Sequence, residues 1–393
     1  MGFCYSRYEK FGEAELRCGR RSPRIDGMNS TTPQPEQVPQ RPARRWRPQF
    51  GLRTLLVGSL LIGVVLAKVA NDARRQREIV ARIHALGGQL WYAGGHTEPI
   101  EGKSAVSIWL REQLGGEYFE SIKQIELGGT LATDDDVLKI LSATTLTSLS
   151  LGETRITDAA LAGLVDQTRL ESLSLNRTRI TDAGLVYLRH CPELARLDLT
   201  QSGVTTSGLE HLKVLSGLKR LDLDSDDISD EGMAAISEIK SLDSLSIENT
   251  RVTSAGLEAF RGHANLRELN IRDIGTTGPG LVALAEMPSL RNLELGGMPL
   301  SVHDMAHLSL LHQVQEITLP YNGLNDEGLR QLAAIRPRTH LSLQLSAQRL
   351  TKSGILCLKD VPNLRSVTLK GCRLSDDELN EVRDAIPFCT IKR

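Results

Sequence analysis

The chain has 393 residues and a net charge of −1, but the charge is unevenly distributed. Residues 1–77 carry 15 Lys and Arg against 6 Asp and Glu, a net +9, which leaves 32 against 42, a net −10, for the remainder. Nucleic-acid binding depends on clustered Lys and Arg, so the acidic remainder argues against a nucleic-acid partner.

Residues 1–49 form a lead that is rich in arginine and proline, and residues 29–49 contain few apolar side chains. Such a composition cannot bury enough apolar surface to fold, so a disordered tail is predicted here. Met28, which precedes Asn-Ser-Thr-Thr-Pro, is considered as an alternative start, in which case residues 1–27 would not be translated.

An apolar run, LLVGSLLIGVVLA, follows at Leu55 to Ala67. The 14 uncharged residues between Arg53 and Lys68 would make about 21 Å of helix, which is short for an apolar bilayer core of about 30 Å. Extending the segment to residues 50–70 allows a span. We predict a single transmembrane helix that acts as a signal anchor. A cleaved signal peptide and a buried structural helix are the alternatives.

The charges that flank this segment predict its orientation. Five arginines precede it, and the positive-inside tendency keeps that flank in the cytoplasm, so the rest of the chain is expected on the extracytoplasmic side. These arginines are Arg41, Arg44, Arg45, Arg47 and Arg53. Basic residues on the far side weaken the bias; they are Lys68, Arg74, Arg75 and Arg77.

Residues 71–121 have a pattern of their own. A helix is predicted at Asp72 to Leu86, a strand at Gln89 to Ala93 and a second helix at Ser104 to Leu114. Repeat arrays need a cap over their exposed end, so we interpret residues 71–121 as a stalk and N-terminal cap. The alternative is an independent binding module.

A period of 24 residues dominates residues 122–393. Its apolar anchors are Ile122, Leu146, Leu170, Leu194, Leu218, Leu242, Leu266, Leu290 and Val314, and the pattern resumes at Leu364. The spacing L-x-x-L-x-L within each unit is the signature of a leucine-rich repeat. We therefore predict an α/β solenoid of horseshoe form, with parallel strands on the concave face and short helices on the convex face, closed by a C-terminal cap from about residue 375.

Within one unit, Leu173 and Leu175 should point into the core from a short strand. Thr181 is placed to act as a helix N-cap, and Asp182 adds negative charge to the first helical turn. At the end of the array, a last helix is predicted at Ser375 to Ile386 and a last strand at Phe388 to Ile391.

The runs Thr154 to Asp158, Thr178 to Leu185 and Thr250 to Leu257 resemble the repeats of bacterial membrane-anchored leucine-rich repeat proteins. They are also similar to the cysteine-containing repeats of F-box-associated proteins and, more distantly, to ribonuclease-inhibitor-like horseshoes. The resemblance implies the repeat fold over about residues 120–393. Where such repeats often hold Asn or Cys, this chain has hydroxyl or carboxyl side chains, which we expect to form a hydrogen-bonded ladder; they are Thr130, Thr154, Thr178, Ser202, Asp226 and Thr250.

Catalytic and metal-binding patterns are not evident, so the chain is predicted not to be an enzyme and to need no cofactor or metal. The cysteines lack C-x-x-C spacing, although Cys372 and Cys389 are near enough in sequence to permit a disulfide. His303, His307 and His312 lack the glutamate of the H-E-x-x-H motif.

The candidate binding residues are polar side chains that the register turns outward in the middle of the array: Arg196, Asp198, Arg220, Asp222, Asp224, Glu248, Arg272 and Glu294. Equivalent residues of adjacent strands lie about 4.8 Å apart, so Asp198 and Asp222 concentrate negative charge. Arginines 196, 220 and 272 could compensate these carboxylates in a solvated charge network. The other interpretation is a docking face for a basic or polar segment, or a cation held by the aspartates.

One stretch departs from the repeat pattern. The ladder position becomes apolar at Ile274 and Met298, glycine and proline accumulate nearby, and the unit at 338–364 is two residues longer than the others. Such an irregularity marks either a functional site or drift in a tolerant array.

The predicted function is therefore binding. We expect a membrane-anchored, extracytoplasmic protein that presents its concave face to an unknown protein or envelope macromolecule. The alternatives are a passive scaffold or spacer of the cell envelope and an intracellular adaptor of the F-box-associated type.

Overall fold

The computed structural model describes residues 52–93, 121–276, 278–297, 300–320 and 323–393. The predictions for residues 1–49 and for the helix at Ser104 to Leu114 lie outside the described residues, as does the apolar ladder position at Met298.

The first described element is helix α1, Leu52–Ala85, which has 34 residues. It joins into one helix the candidate membrane segment and the charged helix that the sequence suggested as separate elements. No proline interrupts it, and it ends before Gly87, whose φ of 82° is readily adopted by glycine. Among the described residues, this is the one helix long and apolar enough to cross a membrane, over Leu55–Ala85. The large apolar side chains between Leu55 and Leu66 are exposed, Leu60 to 69%.

The described strands form one sheet of 13 strands whose spatial order follows the chain. The first pair, β1 and β2, is antiparallel, and each later pair is parallel. The strands are β1 Gln89–Tyr92, β2 Ile122–Glu126, β3 Ser148–Ser150, β4 Ser172–Ser174, β5 Arg196–Asp198, β6 Arg220–Asp222, β7 Ser244–Ser246, β8 Glu268–Asn270, β9 Asn292–Glu294, β10 Glu316–Leu319, β11 Leu341–Ser346, β12 Leu364–Lys370 and β13 Thr390–Lys392.

Short helices alternate with the strands. The α-helices after α1 are α2 Asp134–Leu141, α3 Asp158–Leu161, α4 Asp182–Leu185, α5 Asp230–Ser237, α6 Ser254–Glu258, α7 Gly278–Ala285, α8 Val302–Leu308, α9 Asp326–Leu332, α10 Lys352–Ile355 and α11 Asp376–Ala385. Segments of 3₁₀ helix lie at Ala162–Asp166, Val186–His190, Thr206–Val214 and Leu356–Asp360. This architecture confirms the predicted α/β leucine-rich repeat solenoid.

Strand register follows the 24-residue period. Ser148 pairs with Ser172, which pairs with Arg196 on its other side. The anchor leucines, Leu170 and Leu194 among them, are fully buried in one continuous apolar core. Between β10 and β11 the offset becomes 26, because Glu316 pairs with Ser342. The two extra residues therefore lie between β10 and β11, before the unit at 338–364 to which the sequence analysis assigned them, because Ser342 pairs with Ser366 at the usual offset of 24.

The last turns of α1 belong to the same core as the first repeat. Ile79 and Ile83 are buried in the cluster that contains Ile140 of α2. Arg82 donates two hydrogen bonds to Asp136, from Nε to Oδ1 at 2.7 Å and from Nη2 to Oδ2 at 3.1 Å. An apolar contact and a two-point ion pair therefore join α1 to α2.

Adjacent repeats are joined by a recurring contact that we call the Asp–Thr clamp. The aspartate at the first helical position of one repeat accepts hydrogen bonds from both the amide and the hydroxyl of a threonine in the next repeat. The clamp pairs are Asp134 with Thr157, Asp158 with Thr181, Asp182 with Thr205, Asp230 with Thr253 and Asp326 with Thr351.

The clamp corrects the role expected for Thr181 and adds a second role for Asp182, which lies in the first turn of its helix as predicted. Thr181 occupies the N-cap position of α4, but its hydroxyl makes no capping bond and donates instead to Asp158 Oδ2 at 2.6 Å. Asp182 in turn accepts from Thr205. A Cβ on Gly184 would collide with Asp158 Oδ1. The Thr-Asp-Ala-Gly run is therefore a contact motif between repeats, in which glycine leaves room for the carboxylate of the preceding unit.

The expected ladder of polar side chains is also different. Hydroxyls at this position donate to the carbonyl three residues earlier in their own repeat, as Thr154 does to Leu151 at 2.6 Å and Thr178 to Leu175 at 2.6 Å. Within the described chain, the bond between repeats occurs at Ser202, whose amide donates to Asp226 Oδ1 at 2.8 Å. These threonine hydroxyls therefore satisfy the turn of their own unit.

Candidate functional site

The candidate site lies on the side of the sheet that the leucines leave free. We call this side the strand face and define it by Arg196, Asp198, Arg220, Asp222, Ser244, Ser246, Glu268, Asn270, Asn292, Glu294, Glu316 and Thr318, together with Asp224, Glu248 and Arg272 just beyond the strand ends. The intervening residues of the same strands, such as Leu197 and Leu221, are buried. Strand alternation alone therefore places these polar side chains together.

A groove of about 390 Å³ lies across the middle of the strand face, from β6 to β11. Its polar lining includes Arg220, Asp222, Glu268, Glu294 and Glu316. Four of these five side chains are carboxylates, so the groove is acidic at neutral pH.

The register places like charges beside each other, as the sequence predicted. Arg196 pairs with Arg220 and Asp198 pairs with Asp222 on the adjacent strands β5 and β6. Directly opposed like charges destabilise a sheet unless other groups compensate them.

Arg220 and Arg272, two arginines of the charge-network interpretation, form their ion pairs with glutamates rather than with the central aspartates. Arg220 Nη2 lies 2.9 Å from Glu268 Oε2, two strands away. Arg272 lies 3.5 Å from a carboxylate oxygen of both Glu248 and Glu294. Arg196 is exposed and forms no ion pair among the described residues. The cations thus pair with glutamates and leave the central aspartates without an ion-pair partner in the described chain.

Asp222 is the centre of this imbalance. Its half-buried carboxylate has no hydrogen-bond or ion-pair partner among the described residues. Burial raises the pKa of Asp222 to about 6; nearby Arg220 lowers it, while Asp198 and Asp224 raise it further. A carboxylate that is costly to keep charged and lines a groove is a candidate contact for a cationic ligand group.

The neighbouring aspartates are satisfied by hydrogen bonds. Asp224 Oδ1 accepts from the Ser246 hydroxyl at 2.5 Å and from the Glu248 amide at 2.7 Å. Asp198 accepts from the Thr200 amide at 3.0 Å and from the Ser174 hydroxyl at 3.1 Å. These bonds orient the two side chains and distinguish them from Asp222.

In the part of the chain described, His303 and His307 contact each other, and Cys191, Cys372 and Cys389 are buried. No group of His, Cys, Asp or Glu side chains there has the geometry to hold a metal ion, so the three central aspartates do not make a cation site. His303 and His307 pack edge to face, with ring centroids 4.5 Å apart. Burial raises the pKa of Cys191 to about 12. Cys372 and Cys389 are buried, free thiols, so the permitted disulfide is not formed.

Glu268 and Gln344 are two of the groove residues that were not among the predicted site residues. Glu268 was recognised as outward-facing, but its pairing with Arg220 across two strands is not visible in a pattern of adjacent strands. Gln344 lines the groove from β11 and donates to Glu316 Oε1 at 2.7 Å. It was missed because two extra residues precede β11, so that Gln344 lies 26 residues after its partner Thr318 instead of 24.

A match to one family model supports the repeat assignment. A family model described as Leucine Rich repeat matches residues 167–188 and 217–237. An internalin (inlF) from Listeria monocytogenes is 17% identical, with a TM-score of 0.44, over 69% of this chain and 82% of that one. An internalin C2 (inlC2) from the same organism is 23% identical, with a TM-score of 0.40, over 53% of this chain and 83% of that one. No curated protein matches the chain.

Proposed function

We propose that this leucine-rich repeat solenoid binds a basic segment of a protein partner through its strand face, while α1 anchors the chain in a membrane. The observation that carries the binding proposal is the half-buried, unpaired carboxylate of Asp222 in an acidic groove. A Lys or Arg side chain of the partner would supply the cation that this carboxylate lacks.

The composition of the groove supports polar rather than apolar recognition. The named groove carboxylates outnumber the cation Arg220, and Ser244, Asn270 and Asn292 add hydrogen-bonding groups. Tightly bound protein interfaces usually centre on aromatic or arginine anchors held in pockets. Because the described residues that line the groove include no aromatic side chain, we expect the charged groups of the partner to provide the anchor.

The membrane proposal is supported by α1. Its segment from Leu55 is long and apolar enough to span, and side chains such as Leu60 and Leu61 are exposed rather than packed in a core. Exposed leucines in this number are stable in lipid and costly in water. With the arginine-rich lead kept in the cytoplasm, the repeats would lie on the extracytoplasmic side.

Site-directed photocrosslinking in native membranes tests the binding proposal. A photoreactive residue at Asn292, exposed in the groove, is expected to capture a partner, whereas one at Asn380, exposed on α11, is not. Asp222→Asn should reduce capture at Asn292 without lowering the amount of folded protein. Equal capture at both positions, or capture that ignores Asp222, would favour a passive spacer.

A C-terminal reporter tests the topology separately. A fusion that is active only outside the cytoplasm is expected. Activity confined to the cytoplasm would support the intracellular adaptor and overturn the membrane orientation, but it would leave the groove measurements intact.

A further inference from the structure

A second cavity, of about 340 Å³, lies where α1 meets α2, the first repeat helix. Its lining includes Arg75, Ile79 and Arg82 from α1 and Asp136, Lys139 and Ile140 from α2. None of these residues belongs to the strand face, so the cavity is a separate site.

The cavity has excess positive charge. Arg82 is neutralised by Asp136, and its hydrogen bonds lower the pKa of that carboxyl to about 2. Arg75 and Lys139 have no ion-pair partner among the described residues, and Glu78 is the one further carboxylate in the lining. Two available cations against one carboxylate favour an anionic ligand.

The cavity also has an apolar side. Ile79 and Ile140 both line it while being largely buried in the core, at 7% and 2% exposure. Inorganic phosphate gains nothing from such a surface. A ligand with a phosphate at one end and hydrocarbon at the other fits both parts of the lining.

The position of the cavity along α1 selects among such ligands; this step rests on the membrane span proposed above. If the apolar segment ends at Ala70, Arg75 lies about 8 Å further along the helix axis at 1.5 Å per residue. The headgroup layer adds roughly 5 to 8 Å to each side of the apolar core, so Arg75 lies near the level of the lipid phosphates. Basic side chains at this level attract anionic lipids.

We propose that the cavity between α1 and α2 binds the headgroup of an anionic phospholipid, with Arg75 and Lys139 contacting its phosphate and Ile79 and Ile140 contacting its glycerol and upper acyl carbons. Glu78 opposes this binding and limits its strength. The bound lipid would seat the first repeat against the bilayer surface.

Lipid retention by the full chain tests the site. The protein is reconstituted in vesicles of phosphatidylcholine and phosphatidylglycerol, extracted in mild detergent, and the retained lipid is counted by native mass spectrometry. Arg75→Gln and Lys139→Gln are each expected to lower retained phosphatidylglycerol about five-fold, the factor that corresponds to about 1 kcal/mol per basic residue. Glu78→Gln should raise it.

Arg74→Gln is the matched control. Arg74 is also exposed on α1, one residue away, but it does not line the cavity. An equal loss from Arg74→Gln and Arg75→Gln would show general attraction to an anionic surface and overturn the site. Competition by free glycerol phosphate as strong as that by phosphatidylglycerol would show a phosphate site and overturn the lipid assignment.

Flotation with the same vesicles separates this proposal from the span on which it rests. A chain that resists alkaline extraction but shows no preference for phosphatidylglycerol refutes the lipid site and leaves the anchor. A chain that fails to float refutes the anchor, and with it the lipid site.

Discussion

The carboxylate of Asp182 accepts two hydrogen bonds from Thr205 of the next repeat, at 2.7 Å from the amide and 2.6 Å from the hydroxyl. Asp182→Ala is therefore expected to lower the free energy of unfolding by about 1 to 3 kcal/mol, because a charged acceptor is lost and two donors are left without it. Urea unfolding of the full chain in detergent measures this. Asp227→Ala is the control: this exposed aspartate forms a surface ion pair with Arg251, worth at most about 1 kcal/mol. Equal losses would contradict the clamp.

Replacement of Gly208 by alanine should be less well tolerated than its helical position suggests. Alanine normally stabilises a helix by about 1 kcal/mol relative to glycine, but a Cβ here would collide with Asp182 Oδ1. Gly208→Ala is expected to destabilise, and combining it with Asp182→Ala should cost less than the sum of the single changes. Gly217→Ala, where the nearest atom to a new Cβ is 3.6 Å away, should be neutral. If the stability losses of the two single changes were strictly additive, the predicted collision between the new Cβ and Asp182 would be contradicted.

Asp226 should make stability fall as pH rises. Burial raises the pKa of Asp226 from 3.8 to about 8, and its Oδ2 has no partner in the described chain. Between these values the folded state keeps a proton that the unfolded state releases, so stability is full below pH 4 and decreases up to about pH 8. Asp226→Asn should remove this pH dependence. At pH 9 the free energy of unfolding of the variant should exceed that of the parent protein by a few kcal/mol. Thermal unfolding of both proteins from pH 5 to 9 is the test; parallel curves would argue against a buried neutral carboxyl.

Partner capture at the strand face should weaken in acid. Since burial raises the pKa of Asp222 to about 6, its charge is mostly lost at pH 5. Crosslinking from Asn292 is expected to fall roughly five-fold between pH 7.5 and 5, which corresponds to about 1 kcal/mol for one ion pair. In Asp222→Asn this change should disappear. If the variant keeps the full pH dependence, another group is responsible.

The joint between α1 and α2 depends on a buried carboxylate. Asp136→Asn leaves Arg82 without its charged partner and is expected to cost about 1 to 3 kcal/mol locally. Hydrogen exchange at Ile79 to Ala85 should accelerate accordingly. Asp135→Asn, at an exposed neighbouring position, serves as the control and should leave exchange unchanged.

Much of the fold could be predicted from the sequence because the same spacing of apolar residues recurs in each repeat. Each anchor leucine, such as Leu170, has only one face of a short strand and one core to enter, so the period fixes its burial. The Asp–Thr clamp could not be found in this way. Thr181 followed by Asp182 reads as the start of a helix, and both interpretations use the same residues; only the three-dimensional offset between units shows which neighbour each side chain contacts.

The ion pairs of the site were harder to predict, because a long charged side chain can pair with a residue that is not its neighbour in the strand register. The register correctly placed Asp198 beside Asp222, but the long side chain of Arg220 passes over β7 to Glu268. Which carboxylate remains unpaired therefore depends on side-chain conformation, and the sequence pattern does not encode it.

Helix α1 runs from the apolar segment into the repeat core without a proline or a loop. A flexible tether would let the repeats tumble, and a partner in the same membrane would then have to halt that motion at an entropic cost on binding. A stiff joint removes most of this cost. It also fixes the direction in which the groove faces around the axis of α1. Each residue advances a helix by about 100°, so inserting a single alanine after Ala70 would swing the groove about a quarter turn around the axis of α1.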